Sequence, residues 1–431
     1  MSLFKEEQIF TPDGQLDQWI GGYPDEEGMK AIRQSTTVVD KKDMLKGLEI
    51  LNNKYPNQPS ILIRLAEVYY LLHYTAGARD TANTIINILD VRDEKFTNWA
   101  QKVSEWASKE EMHNINLFDR LIKEQATFSG WVKRITEYKH REPIDTIDKI
   151  RRTWSNMLNN LTQSQITLAY ARMLSIETNQ LEDVFLLDKS GDTLTKLVKG
   201  GYYLGAIQHT DANSKITDFR TILSIISEVQ HALNIIRTRR NFTSEFIKEI
   251  HWTIMYSSRL TTHFDESTMF RYPYLIPSGV WRRKTVFVKH PNKTLVFHPF
   301  NEIPKSMDIF TKLANDAFRK NNVGAYTFAA WIHHTLINIH PFEDGNGRVT
   351  RLISSIPLFL AGLPPICISL ESKSDYYRAL DIADRESDII PLAEVFAKEA
   401  LNTLHGIIEL GTSINIGESQ MDIETASIPY L

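Results

Sequence analysis

Apolar residues recur at three- and four-residue steps through most of this chain, the period of helices that bury one face. Phe328, Ile332, Leu336 and Ile339 mark one such helix. Pro341, Gly345 and Gly347 interrupt it, because proline and glycine resist continuation, and Val349, Leu352, Ile353, Ile356 and Leu360 restart the period. Ile222, Ile225, Ile226 and Val229 form a second apolar face, and Ile147, Ile150, Trp154, Met157 and Leu161 a third. In the first third, Leu62, Leu65, Ala66, Tyr69 and Ala78 fall at the spacing found inside a tetratricopeptide repeat of about 34 residues. Leu48, Leu51 and Pro56 sit one period earlier, and Trp99 and Ala100 one period later. Two readings stand there: a degenerate repeat array, or an ordinary bundle of helical hairpins. The period changes at Ser278 to Phe300, where β-branched and aromatic runs flank Pro291-Asn292 and predict a β-hairpin. Several more helices are expected up to about residue 265. The expected fold is all-α with one small hairpin. It divides into a helical region over residues 1–130, a connecting helix over 131–164 after a break at Pro143, a core over 165–410, and a polar tail over 411–431.

Composition narrows the function. With 431 residues and 42% hydrophobic content the chain can bury more than one core. A formal net charge of -4 does not suggest bulk nucleic-acid binding. The local basic run Arg282, Arg283, Lys284, Lys289 and Lys293 reads as a solvated hairpin face. Cys367 is the one cysteine, so neither an intrachain disulfide nor a cysteine-based metal site can form. No stretch approaches the roughly 18 apolar residues of a membrane span, and the first residues lack a signal-peptide pattern. A cytoplasmic protein is expected, with the nucleus as the alternative, and no membrane partner.

Candidate chemistry concentrates in HPFEDGNGRVTR, His340 to Arg351. Gly345 and Gly347 let backbone N–H groups approach an anion, and a helix start aims its positive end there. Asp344 can hold a hard divalent cation. Arg348 and Arg351 can fork onto phosphates, and His340 is a proton acceptor near neutral pH. The set points to phosphoryl-type chemistry on a nucleoside triphosphate. A metal site on His333, His334 and His340 is set aside, since adjacent residues on a helix point about 100° apart.

This segment resembles the Fic family signature, HxFx(D/E)GNGRxxR, with every fixed position filled. The resemblance implies transfer of AMP from ATP to a Ser, Thr or Tyr hydroxyl of a target protein. His340 would be the base and Asp344 the magnesium ligand. Asn346 would orient the α-phosphate, and Gly345 and Gly347 would form the anion nest. Arg351 would meet the γ-phosphate, while Arg348 would hold either the loop or the β-phosphate. Gly279-Val280-Trp281-Arg282 followed by Val286 resembles the family's flap, so Thr285, Val286 and Phe287 are the expected target-docking edge. Asp375 to Leu380 resembles the YYxAL helix start, which makes Tyr377 a candidate neighbour of the adenine. A homodimer is a further expectation from the family.

Ala171 to Asn179 resembles the family's inhibitory helix, [S/T]xxxE[G/N], expected near residues 168–182. On this match Glu177 would pair with Arg351 and occupy the γ-phosphate site. The segment departs from the pattern at Met173, which replaces the hydroxyl residue, and at Thr178, which follows the glutamate. Three functions remain open: an AMP transferase restrained by Glu177, an AMP-removing hydrolase in which Glu177 positions water, and a TPR-type adaptor whose core only senses nucleotide.

Overall fold

The computed structural model describes residues 41–89, 94–124, 127–128, 144–157, 163–188, 191–200, 210–211, 214–265, 269–290, 293–320 and 323–410. The polar tail, the break at Pro143 and the turn at Pro291-Asn292 lie outside the described residues. The chain forms two compact units. Of the described residues, one takes those up to Leu117 together with Arg259–Pro277, and the other takes those within Phe118–Ser258 and from Ser278 to Leu410.

In the first unit, α1 (Lys41–Lys54), α2 (Pro59–Leu71) and α3 (Thr75–Leu89) precede α4 (Glu94–Lys123), whose residues to Leu117 belong here. A proline in the first turn of α2 presets its start, where no N–H partner is needed. Leu62 and Ala66 of α2 bury against Ala78 and Ala82 of α3 and Trp99 and Ala100 of α4. Of the positions whose spacing suggested a repeat, Leu62, Ala66, Ala78, Trp99 and Ala100 share this core. The other face of α2, through Leu65, Val68 and Leu72, joins Leu45 and Leu48 of α1 around Leu275.

Leu275 belongs to a hairpin where the sequence pattern led us to expect only helix near residue 260. Strand β2 (Leu260–Asp265) pairs antiparallel with β3 (Phe270–Leu275), with Leu260 opposite Leu275. Pro273 hides this strand from a pattern reading, because proline in a run argues against a strand, yet here it faces Thr262. The hairpin is fastened at its open end, once on each side. Leu275 N–H donates to Leu72 O at 3.0 Å, and the Arg259 guanidinium holds both oxygens of the Glu49 carboxylate.

The second unit is built around α11 (Ala325–Ile339), buried along nearly its whole length. Against it pack α12 (Asn346–Ser354), α13 (Ile356–Leu360) and α15 (Ile390–Glu409). Its other helices are α5 (Ile144–Met157), α6 (Gln163–Gln180), α7 (Asp192–Gly200), α8 (Phe219–Arg237), α9 (Ser244–Met255), α10 (Ile303–Lys320) and α14 (Lys373–Glu386). Side-chain caps fix two of the starts: Asp218 accepts from Thr221 N–H before α8, and Thr243 accepts from Phe246 N–H before α9. Ile222, Ile225, Ile226 and Val229 are fully buried, as their period predicts. The helix expected to be a connector is α5. Its Ile147 and Ile150 are buried and it packs on α15, so it is part of the core unit and not a spacer.

The expected hairpin is present as β4 (Phe287–His290) and β5 (Lys293–Val296), with Phe287 opposite Val296. A two-residue strand, β1 (Thr127–Phe128), lies parallel to β5, giving the order β1-β5-β4. Two residues carry no period, and the sequence offers no sign of β1. None of the described helices is long and apolar enough to cross a membrane.

Leu275 is 2% exposed and sits between the helices that enclose it. Leu275→Ala should therefore cost about 2–5 kcal/mol in the first unit and speed tryptic cleavage at Arg271. Urea unfolding and limited proteolysis read both effects. An unchanged midpoint with unchanged cleavage would show that Leu275 does not anchor the hairpin.

Candidate active site

Helix α11 stops at His340, which adopts the left-handed φ 51°, ψ 61° and returns its N–H to Leu336 O at 2.9 Å. The turn swings the imidazole so that Nδ1 lies 3.1 Å from Ile337 O. A carbonyl only accepts, so Nδ1 carries the hydrogen and Nε2 keeps its lone pair. Phe297 stacks on the ring at 3.7 Å. Burial, with the Arg282 charge acting the same way, pushes this imidazole far below its ordinary value. The result is a neutral histidine whose Nε2 is unprotonated.

The loop after it is closed by its own asparagine. Asn346 accepts from Phe342 N–H at 3.0 Å and donates to Phe342 O at 2.9 Å. Its amide thus shapes the loop. Gly345 takes φ 75°, and a Cβ there would meet Met255 Sδ at 2.6 Å. Both conditions require glycine. Helix α12 begins with no side-chain cap, which leaves first-turn N–H groups facing an anion position.

Burial alone would raise the Asp344 carboxyl. The Arg348 charge, the Gly345 N–H at 2.6 Å and Lys215 outweigh it and hold the group below the usual carboxylate range. Arg348 is buried and donates to Asn179 Oδ1 at 3.2 Å, Ser258 Oγ at 3.3 Å and Met255 Sδ at 2.9 Å. These contacts tie the start of α12 to α6 and to the C-terminal end of α9.

Arg351 does not pair with Glu177. Its Nη2 donates to Glu182 Oε1 at 2.8 Å and to Thr178 O at 3.0 Å, and its Nε donates to Thr178 Oγ1 at 2.9 Å. Glu182 Oε1 lies over the helix start, only 1.9 Å from where a Cβ on Gly347 would stand. Glu177 is five residues earlier, about 140° around the helix, so it faces elsewhere. It accepts from Leu370 N–H at 2.8 Å and from Gln180 at 3.4 Å. Burial raises its carboxyl to about 7, against those two donors. Thr178-x-x-x-Glu182-Asp183, five residues on, also fits a hydroxyl four residues before an acid. Asp183 takes the left-handed φ 53° at the position where the pattern has Gly or Asn. Lys215 Nζ donates to Glu182 O at 3.1 Å, and Lys373 pairs with Asp183 at 3.0 Å, so cations grip this turn.

Arg282, taken from sequence as part of a solvated basic face, is 1% exposed. Nε donates to His340 O and Nη1 to Lys284 O, each at 2.7 Å, and Nη2 donates to His298 O. Its main-chain N–H reaches Pro341 O at 2.9 Å. The residue clamps the flap to the histidine turn, and burial lowers its guanidinium to about 9, Glu343 opposing. Its neighbour Arg283 is exposed as expected. Thr285 is buried, Val286 O accepts from Phe297 N–H at 3.1 Å, and Phe287 opens β4, the end strand of the sheet order. Tyr377 is half-exposed; Glu182 and Arg351 act electrostatically on its phenol, which burial raises. Tyr376 beside it is buried, with its hydroxyl 3.0 Å from His333 Nε2.

A further residue escaped the sequence reading. His251 of α9 is fully buried and stacks parallel on Phe342 at 3.6 Å. Gly279 N–H donates to its Nδ1 at 2.8 Å, so Nε2 carries the hydrogen and donates to Asp344 O at 3.0 Å. Burial, joined by Arg348, keeps this imidazole neutral.

Residues 241–358 match the model of the Fic/DOC family. Among curated relatives, a protein adenylyltransferase Fic of Drosophila mojavensis is 40% identical over 86 residues, 20% of this chain and 17% of that protein. One from Drosophila persimilis is 43% identical over 77 residues, 18% of this chain and 15% of that protein. The match thus spans about a sixth of those relatives' length. Among solved structures, a Fic-domain-containing signalling protein from Bacteroides thetaiotaomicron has a TM-score of 0.48 at 22% identity. It covers 63% of this chain and 99% of its own. Fic-1 from C. elegans has a TM-score of 0.39 at 15% identity, covering 90% and 100%.

Glu177 binds its proton more tightly folded, at about 7, than at its ordinary value of 4.5. The stability this contributes is complete below about 4.5 and is lost as pH rises through about 7. Glu177→Gln keeps the acceptor oxygen and removes the titration. Its melting temperature should decline less than the parent's across that window, and parallel curves would contradict the burial argument.

Proposed function

This chain carries a domain of the Fic/DOC family, and on that premise we propose that it transfers AMP from ATP to a protein hydroxyl and is restrained by Glu182. The observation that carries the reading is the neutral His340 beside an anion position filled by a carboxylate of the chain itself.

His340 Nε2 takes the proton of the incoming Ser, Thr or Tyr hydroxyl as its oxygen bonds to the α-phosphorus. The bond from that phosphorus to the bridging oxygen breaks, and pyrophosphate leaves with the electron pair. The first-turn N–H groups of α12 and the guanidinium of Arg351 receive the phosphates. Arg351 Nη1 supports this role, since it is buried without a hydrogen-bond partner beside Gly347. Asp344 would hold magnesium, which supplies positive charge against the phosphate oxygens when bound. The donor set fits: Asp344 is kept ionised, and among the described residues no cluster of three or more acids, histidines or cysteines exists to hold a metal unaided. A magnesium ion that keeps waters and phosphate oxygens needs no such cluster. The target strand adds to the β4 edge near Thr285, Val286 and Phe287, where main-chain groups give affinity. Tyr377 borders the base.

Glu182 is the brake because its carboxylate and the outer phosphate compete for Arg351 and the start of α12. An AMP-removing reaction on the same site would need a carboxylate to align water, and Glu182 stands there while Glu177 does not.

Mass spectrometry after incubation with ATP and magnesium tests the proposal. Glu182→Gly should raise self-modification by AMP about tenfold or more. Glu177→Gln should match the parent, and adding His340→Ala to Glu182→Gly should abolish labelling. If Glu182→Gly neither binds ATP by calorimetry nor acquires AMP, the assignment fails. Release of AMP from a pre-modified target by the parent but not by Glu182→Gly would instead favour the hydrolase.

A further inference from the structure

We propose that His251 is a positioning residue that locks the target-docking flap to the metal-binding loop, so that acceptor and nucleotide stay in register. Helix α9 is the floor on which both segments rest. A Cβ at Gly279, where the flap begins with φ 71°, would stand 3.0 Å from Trp252 Cβ and 3.3 Å from Lys248 O. A Cβ at Gly345 would stand 2.6 Å from Met255 Sδ and 3.4 Å from His251 Nε2. Both glycines therefore lie directly against the same helix, and His251 is the side chain bonded to both segments.

Its two hydrogen bonds run in opposite senses. Nδ1 accepts from Gly279 N–H at 2.8 Å, and Nε2 donates to Asp344 O at 3.0 Å. The ring face packs on Phe342 at an interplanar angle of 1°, in the middle of the same loop. A filler of this space would need only an aromatic ring. One acceptor and one donor, each matched to a main-chain group of a different segment, is more than packing requires. Arg282 makes a second join, from flap to His340 O, but it lies on the flap itself. His251 fixes the flap and the Asp344 main chain to a third element, and the Asp344 carboxylate is thereby aimed.

Rigid support of this kind is worth about ten- to a hundredfold in activity when second-shell partners are removed. The kinetic arm rests on the AMP-transfer reading, and the exchange arm does not. In the Glu182→Gly protein, His251→Phe keeps the stack and loses both hydrogen bonds. It should lower kcat for AMP transfer about tenfold or more while KM for ATP moves less than about twofold, because Arg351 is untouched. His251→Gln, which retains an acceptor and a donor, should recover most of the rate. Separately, amide hydrogen exchange on the full chain without nucleotide should show Gly279 and Gly345 exchanging about tenfold faster in His251→Phe, and slower again in His251→Gln. If the phenylalanine variant does not fold, His251→Leu is read by the same exchange. Unaltered exchange at both glycines, or a glutamine variant no better than phenylalanine at equal melting temperature, overturns the proposal. Absence of AMP transfer in Glu182→Gly itself would sink the functional reading and leave the exchange result to decide this one.

Discussion

Two arginines placed where water cannot reach them impose the arrangement of the whole site. Arg348 and Arg351 are 1% and 2% exposed, and a buried cation stripped of its partner costs about 3–5 kcal/mol. Each must be surrounded by acceptors before the core can close. Arg348 collects Asn179, Ser258 and Met255, while Arg351 collects Thr178 and Glu182. The C-terminal end of α6 is drawn onto α12 by these demands. The carboxylate at the helix start is thus a structural requirement of the buried arginines. A triphosphate entering the site would replace one negative partner with another.

The same economy of acceptors explains how the loop keeps its shape. Asn346 uses its amide on Phe342, His251 bridges Gly279 and Asp344, and Arg282 gathers main-chain carbonyls instead of a carboxylate. Three different side chains therefore serve backbone groups of a segment that has no regular structure of its own. Backbone groups out of water must be paired, and where no ladder supplies the partner a side chain can. The neutral state of His340 follows from the same enclosure.

Much of this was legible beforehand. The period of α8, α11 and α12, the single change to a hairpin at Phe287–Val296, and the twelve-residue motif all follow from local rules. What the sequence hid shared a physical cause. His251 and Arg282 act through residues distant along the chain, and no periodicity reports such a contact. Glu177 was misread because an acid near the end of a helix can face several ways, and only the helix's rotation decides which. The β2–β3 hairpin was obscured by Pro273, whose meaning depends on the strand opposite. The strand β1 is simply too short to announce itself.

Thr178 holds Arg351 independently of the acid at 182. Its hydroxyl and carbonyl take two of the directions in which the Arg351 guanidinium points. Were the acidic side chain at 182 swung aside, the planar fork would not go slack. It would stay oriented by threonine, with Nη1 and Nη2 offered to the next negative guest. Vacating the seat does not dismantle it, and a newcomer finds the socket already cast.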